Sequence, residues 1–210
     1  MGLPNKISIF RLLLVPAIFI LIVIYPFGGI CSWNINLPAI TISNYTLPIT
    51  WLIAGILFII ASLTDFLDGY IARKYNQVTT SGKFLDAIAD KVLTNLTLFA
   101  FVCEGIVPFW LLAIFMIRDL IVDALRQTLA SKNVIWPAQQ LGKWKTACMM
   151  VGTTLLFFIS SAHLGVNLYN WESQLILIPL YISGILSVVS GMQYLINNWN
   201  KVFNEKEEKK

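Results

Sequence analysis

The sequence predicts an all-α integral membrane protein with six transmembrane helices and both termini in the cytoplasm. Three observations lead to this prediction: the composition, the spacing of long apolar runs, and the distribution of Lys and Arg. Of the 210 residues, 57% are hydrophobic and 12% are charged, whereas a soluble domain carries about 25% charged residues. One soluble core could not bury this much apolar surface, so lipid is the expected solvent.

Six apolar runs are long enough to cross a bilayer, which takes about 20 residues of helix. They cover residues 8–26, 49–68, 84–104, 108–130, 145–163 and 174–198. The first run resembles a signal peptide, but no small-x-small cleavage site follows it and five more runs come after, so we expect it to be retained. We therefore expect a single membrane domain over residues 1–210, with a short charged tail at 200–210.

The connections between the runs differ in charge. Residues 27–48, 104–108 and 164–173 contain no Lys or Arg, and the basic residues lie near the other ends of the runs and near both ends of the chain. The positive-inside rule then places both termini in the cytoplasm, in a multi-pass protein of the cell membrane surrounded by membrane lipids. The net charge of +4 does not come from a basic stripe with interleaved aromatics, which argues against a nucleic-acid partner.

Four aspartates lie within 26 residues, where the second run ends and the third begins: Asp65, Asp68, Asp86 and Asp90. An ionisable residue at membrane depth costs about 2.5–3.5 kcal/mol on insertion scales. Residues three or four apart share a helix face, so the aspartates form two same-face pairs. The short connection predicts antiparallel neighbouring helices with both pairs just inside the cytoplasmic boundary. The alternative, helix-end charges that only snorkel to water, fits lone aspartates better than two pairs.

Such close carboxylates cannot all stay ionised without cations between them. Oxygen ligands favour Mg²⁺ or Mn²⁺, and two such ions can hold both sides of a phosphoryl displacement. Gly69 and Ala72 leave room for a bulky group beside the aspartates, and Gly82 allows a phosphate to approach the start of the third helix. Arg73 and Lys83 supply the positive charge that a pyrophosphate requires.

Eight of these residues have a fixed spacing, Asp65-x2-Asp68-Gly69-x2-Ala72-Arg73-x8-Gly82-x3-Asp86-x3-Asp90. The pattern resembles the complete signature of the CDP-alcohol phosphotransferase family. The resemblance implies a six-helix homodimer with a CDP-linked donor and two Mg²⁺ or Mn²⁺ ions per active site. It also implies residue roles: metal ligands Asp65, Asp68, Asp86 and Asp90, with Asp90 also the catalytic base, and a binding site for CDP-diacylglycerol at Asp65, Gly69, Ala72, Arg73, Gly82 and Lys83.

The fourth run carries a second group of charges, Arg118, Asp119, Asp123 and Arg126, and Lys143 follows before the fifth run. Arg118 and Arg126 are eight residues apart and therefore lie near one helix face, about two turns apart. A basic cluster beside the carboxylates suits an acceptor that carries its own phosphate. The alternative is that the two arginines only pair with Asp119 and Asp123.

Two segments resemble the subfamily that uses glycerol 3-phosphate as acceptor: Pro4-Asn5-Lys6-Ile7-Ser8-Ile9-Phe10-Arg11 and Gly142-Lys143-Trp144-Lys145-Thr146-Ala147. Members of that subfamily often have Arg-Glu where this chain has Arg118-Asp119, a departure that conserves the charge. The expected reaction transfers a phosphatidyl group from CDP-diacylglycerol to sn-glycerol 3-phosphate, giving phosphatidylglycerol phosphate and CMP. Arg118, Arg126 and Lys143 are the expected ligands of the acceptor phosphate.

Two kinds of alternative stay open at this point. In the first alternative, the reaction is the same but the acceptor is inositol phosphate, serine or a second lipid. Serine has no phosphate that the basic cluster could bind. A divalent-cation transporter would use the same aspartates for passage. It would need polar residues along a path to the outer face, and the second and third runs are apolar beyond their cytoplasmic halves.

Overall fold

A computed structural model describes residues 3–25, 35, 37–74, 80–131, 140–165 and 168–203, without the side chains of residues 3–8, 65–74, 80–87, 131, 161–162 and 200–203. Six long helices overlap the six predicted runs in order, and the mainly helical fold is confirmed. They are α1 (Leu3–Val23), α2 (Ile49–Lys74), α3 (Thr80–Cys103), α4 (Phe109–Ser131), α5 (Gln140–Phe158) and α7 (Trp171–Phe203), with a short α6 (Ser161–Leu164) between the last two. Most of the predicted charged tail, residues 204–210, lies outside the described part.

A small antiparallel hairpin precedes α2 and was missed by the all-α prediction. Its strands are β1 (Ala39–Ile42) and β2 (Tyr45–Pro48), and Ile42 pairs with Tyr45. Ser43 adopts a positive φ of 54° in the two-residue turn, the backbone conformation that such tight hairpin turns require. The strands are short, so the hairpin depends on the helices around it for stability.

The described helices expose apolar side chains on their outer faces. Leu13, Leu120 and Ile185 are each at least 65% exposed, as expected of surfaces that face lipid rather than water. By length and composition, Trp171–Trp199 is the one described helix long and apolar enough to cross a membrane, and Ile9–Val23 and Ile49–Thr64 are shorter apolar stretches. Six membrane crossings therefore stay a prediction.

The packing of α1 and α7 organises the bundle. Helix α1 packs against both α2 and α3, the helices that carry the four aspartates. Helix α7 packs against α4 and α5, and α5 also contacts α2 and α3. Residues from the second halves of α2, α4 and α7 and from the first halves of α3 and α5 line one cavity.

An aromatic cluster at the other end of the bundle joins the connections that lack Lys and Arg; we call it the Trp51 cluster (Tyr45, Trp51, Phe101, Phe157 and His163). The indole of Trp51 donates to the carbonyl oxygen of Ile22 at 3.2 Å, and its ring stands edge-on to His163 at 5.0 Å. The hydroxyl of Tyr45 donates to the carbonyl oxygen of Phe158. Hydrogen bonds and ring contacts therefore tie the hairpin, the end of α1 and the α5–α6 connection into one unit.

Candidate active site

A cavity of about 600 Å³ lies between α2, α3, α4, α5 and α7. It brings Asp90, the last of the predicted carboxylates, together with all three predicted acceptor residues, Arg118, Arg126 and Lys143. These four residues come from three helices and are separated by up to 53 positions in the sequence. The fold thus places a carboxylate and a basic cluster around one space large enough for a small phosphorylated alcohol.

The predicted carboxylates lie on α2 and α3, two of the helices that border this cavity. Position 65 lies three residues after Ser62, which lines the cavity, so both share one face of α2. Position 86 lies one turn before Asp90 and shares its face of α3. Asp90 is half-buried and lines the cavity, whereas the side chains of Asp65, Asp68 and Asp86 lie outside the described part.

The residues predicted to bind the donor have a helical backbone: Gly69, Ala72 and Arg73 in α2, and Gly82 and Lys83 in α3. Their side-chain surroundings also lie outside the described part. Helix α2 continues to Lys74 and α3 begins at Thr80, so both helices run past the predicted spans into the connection. The signature residues therefore stand on helix surfaces, as the three- and four-residue spacings require.

The predicted metal ligands suit a hard divalent cation, since they are all carboxylates. Among the side chains that the structure describes, no group of three or more His, Cys, Asp or Glu could hold a metal ion. Three of the four predicted ligands are not in that set, so the metal site stays a prediction. What the structure adds is the position of Asp90 in the cavity and the shared helix face of positions 86 and 90.

Asp119 is the centre of a buried charge network. Its Oδ1 accepts hydrogen bonds from Arg118 Nη1 at 3.0 Å and from Lys145 Nζ at 2.9 Å. Arg118 Nη2 also donates to Ser190 Oγ on α7 at 3.1 Å. Internal pairing, the alternative from the sequence, therefore does occur at Arg118. One carboxylate is shared by two cations, however, so this network keeps an excess of positive charge.

The second pair of that alternative, Arg126 with Asp123, is not found among the described side chains. Asp123 pairs with Lys91 rather than with Arg126. The guanidinium of Arg126 lies over the ring of Tyr194, 5.8 Å from its centroid, a cation–π contact that leaves its donors available. Within the described residues, neither Arg126 nor Lys143 forms an ion pair, and both are exposed. These two cations are therefore available to an anionic ligand.

Sequence reasoning missed Lys91. It directly follows Asp90, lines the same cavity and connects α3 to α4 through Asp123. The available signal was a lysine inside an apolar run, at a depth where an ionisable side chain needs a partner. With it, five basic and three acidic side chains of the described residues line the cavity, and the basic ones are suited to an anion.

Comparison with known proteins identifies the family. The family described as CDP-alcohol phosphatidyltransferase matches residues 1–189. The chain is 36% identical over 203 residues to the "CDP-diacylglycerol--glycerol-3-phosphate 3-phosphatidyltransferase" of Bacillus subtilis (strain 168), covering 94% of this chain and 95% of that protein. Proteins of the same name from Mycoplasma genitalium and Wigglesworthia glossinidia brevipalpis are 36% and 31% identical, over 97% of this chain and 87% and 98% of their own lengths. The chain belongs to the CDP-alcohol phosphatidyltransferase family.

Proposed function

We propose that this protein transfers the phosphatidyl group of CDP-diacylglycerol to sn-glycerol 3-phosphate, giving phosphatidylglycerol phosphate and CMP. The observation that carries the proposal is the single cavity that joins Asp90 to Arg118, Arg126 and Lys143. A phosphorylated alcohol needs a base for its hydroxyl and cations for its phosphate, and this cavity has both. The relatives named above carry the same activity in their names.

The two substrates use different parts of the site. The cytidine and pyrophosphate of the donor lie along the signature residues of α2 and α3, where Gly69 and Ala72 leave space and Arg73 is cationic. The phosphate of the acceptor binds Arg126 and Lys143, which have no ion pair among the described residues. Arg118, which pairs with Asp119, lines the same cavity. Charge-assisted hydrogen bonds to a phosphate are about twice as strong as neutral ones.

The chemistry is a displacement at the phosphorus that carries diacylglycerol. The acceptor hydroxyl attacks this phosphorus, Asp90 takes the hydroxyl proton, and the bond to the CMP oxygen breaks. Asp65, Asp68, Asp86 and Asp90 are the residues that would hold two Mg²⁺ or Mn²⁺ ions, whose charge would neutralise the pyrophosphate. The basic residues of α4 and α5 orient the acceptor, so that its hydroxyl rather than its phosphate approaches Asp90.

The proposed setting is the cell membrane, with six spans, both termini in the cytoplasm and the cavity at the cytoplasmic side. The Trp51 cluster supports this orientation, because it gathers connections without Lys or Arg at one end, opposite the basic cavity. The exposed apolar faces of the helices support contact with membrane lipids. A homodimer is proposed on the family resemblance alone.

The charges in the cavity bear on the alternatives. Serine carries no phosphate and would leave Arg126 and Lys143 without a ligand, whereas inositol phosphate would use them. A cation pathway is disfavoured by the sequence, because the second and third runs are apolar beyond their cytoplasmic halves and offer no polar path to the outer face. Arg126 and Lys143, which form no ion pair among the described residues, therefore favour a phosphate-bearing acceptor.

An acceptor panel with purified protein tests the proposal. CDP-diacylglycerol labelled in its phosphatidyl group is incubated with glycerol 3-phosphate, inositol phosphate or serine, with Mg²⁺ or with EDTA. We expect labelled phosphatidylglycerol phosphate and equimolar CMP with glycerol 3-phosphate and Mg²⁺ only. Faster transfer to inositol phosphate would overturn the acceptor, and the absence of CMP release with every acceptor would overturn the enzyme class.

A further inference from the structure

A second, apolar cavity lies on the outer surface between α4 and α7. It has a volume of about 200 Å³ and is lined by Ile114, Ile117 and Ile121 of α4 and by Val188, Met192 and Leu195 of α7. Ile117, Val188 and Met192 are exposed at its mouth. We call it the α4–α7 groove. Its chemistry suits a hydrocarbon chain that enters from the bilayer.

Arg118 separates this groove from the polar cavity and borders both. Its stem lies against Gly191, where a Cβ atom would be 3.1 Å from Arg118 Cγ. Its guanidinium reaches the polar side, since Nη1 bonds Asp119 and Nη2 lies 3.5 Å from the Cβ position of Gly142, which lines the polar cavity. A long basic side chain thus has an apolar stem in one space and its charge in the other.

A ligand that uses both spaces must be anionic at one end and apolar at the other. The donor of the proposed reaction and its lipid product share this character, since both carry diacylglycerol on a phosphate. Building on the proposed function, we propose that the α4–α7 groove holds one acyl chain of this diacylglycerol, which enters beside Arg118. The lipid phosphate then lies in the polar cavity, at the signature residues of α2 and α3 proposed above, while the guanidinium of Arg118 stays on the acceptor side.

The proposal explains how the lipid stays in the membrane during transfer. The phosphatidyl group keeps both acyl chains through the reaction, so a chain in a laterally open groove does not have to leave the bilayer. Gly191 keeps the stem of Arg118 close to α7 and so keeps the groove next to the polar cavity. A general lipid-facing surface would lack this connection to a phosphate site.

Two neighbouring valines of α7 give a matched test. Val188 lines the groove and Val189 does not, although their exposed fractions, 43% and 47%, are nearly equal. We expect Val188→Trp to fill the groove and raise the KM for CDP-dioleoylglycerol about tenfold. The KM for CDP-dibutanoylglycerol, whose short chains fill little of the groove, should change less than about twofold. Val189→Trp should leave both KM values near those of the wild type.

Equal changes of KM in the two Trp variants, or equal changes for long and short donors, would contradict the assignment of the groove as an acyl-chain site. Failure of the proposed function looks different, because the wild type would then turn over neither donor.

Photo-crosslinking of the wild type covers the case in which a Trp variant does not fold. A CDP-diacylglycerol with a diazirine on one acyl chain should label groove residues such as Ile117 and Met192. Unlabelled CDP-diacylglycerol, but not phosphatidylcholine, should suppress this labelling. Labelling that is as strong at Ile185, outside the groove, and insensitive to either competitor would overturn the proposal.

Discussion

The ammonium of Lys145 lies 2.9 Å from Oδ1 and 3.0 Å from Oδ2 of Asp119, in a pair whose side chains are only 4% and 14% exposed. Arg118 adds a second cation to the same carboxylate. Lys145 also lies over the ring of Phe115, 5.4 Å from its centroid, so this ring covers part of the ammonium that the carboxylate does not contact. This pair fixes α5 to α4 beside the cavity.

Removal of the carboxylate alone should therefore lower the stability of the protein more than removal of the whole pair. Asp119→Leu leaves Lys145 buried without its counter-ion, and we expect a loss of about 3–5 kcal/mol of stability. The double variant Asp119→Leu/Lys145→Met replaces both charges of this pair with apolar groups and should regain part of that loss, although Arg118 still lacks its carboxylate and keeps its bond to Ser190. Unfolding midpoints in detergent measure both. A double variant as unstable as Asp119→Leu would contradict this account of the pair.

Asp90→Asn should abolish measurable turnover and leave the binding of CDP-diacylglycerol largely intact. The amide keeps the shape of the side chain but cannot take a proton, and a positioned base contributes about 10²- to 10⁴-fold. CMP release and donor binding are measured separately. Asp123→Asn is the matched control, because Asp123 lines the same cavity but pairs with Lys91; it should retain turnover.

Near-normal turnover of Asp90→Asn would contradict the assignment of the base. Complete loss of metal binding in this variant would instead identify Asp90 chiefly as a metal ligand.

Arg126→Gln should weaken the use of glycerol 3-phosphate more than the use of the donor. Loss of a charge-assisted hydrogen bond costs about 1.5–3 kcal/mol, which is about a ten- to hundredfold fall in kcat/KM for the acceptor. Arg126→Lys keeps the charge and should lose less. If the KM for CDP-diacylglycerol rises while that for the acceptor does not, the basic cluster belongs to the nucleotide, and uncharged acceptors must be reconsidered.

The orientation of the bundle can be tested with single cysteines after Cys31, Cys103 and Cys148 have been replaced. Asn44→Cys lies in the exposed turn of the hairpin, and Gln140→Cys lies at the exposed start of α5. We expect a membrane-impermeant maleimide to label Asn44→Cys in intact cells and Gln140→Cys only after lysis. The reverse pattern would place the cavity on the outer side and contradict the proposed topology.

The existence and order of the long helices could be predicted from hydropathy, but their ends could not. The second run was predicted to end at residue 68, whereas α2 continues to Lys74, and the third was predicted to begin at 84, whereas α3 begins at Thr80. Hydropathy reports where apolar residues stop, and a helix continues through polar turns as long as its hydrogen bonds do. The hairpin at 39–48 was missed because a loop was expected between two membrane runs, although Ile40, Ile42 and Tyr45 have high β-propensity.

Part of the candidate site was also predictable. A charged residue in an apolar run attracts notice because of its cost at membrane depth, and this led to Arg118, Arg126 and Asp90. Which charges pair with each other depends on distances between helices that the sequence does not contain. Asp123 has Arg126 three residues away on its own helix, and it pairs instead with Lys91 of α3.

The Trp51 cluster limits how this protein can move. Its rings and hydrogen bonds bind α1, α2, α3, α5 and the hairpin together at one end, and packed aromatic groups of this kind do not slide apart one by one. Helices that are held together at one end can separate only at the opposite end. In the proposed reaction each cycle admits a nucleotide and releases CMP, so the fixed end makes the opposite ends of these helices, beside the polar cavity, the moving parts. In this proposal, the end of α5 that moves also carries Lys143, one of the proposed acceptor ligands.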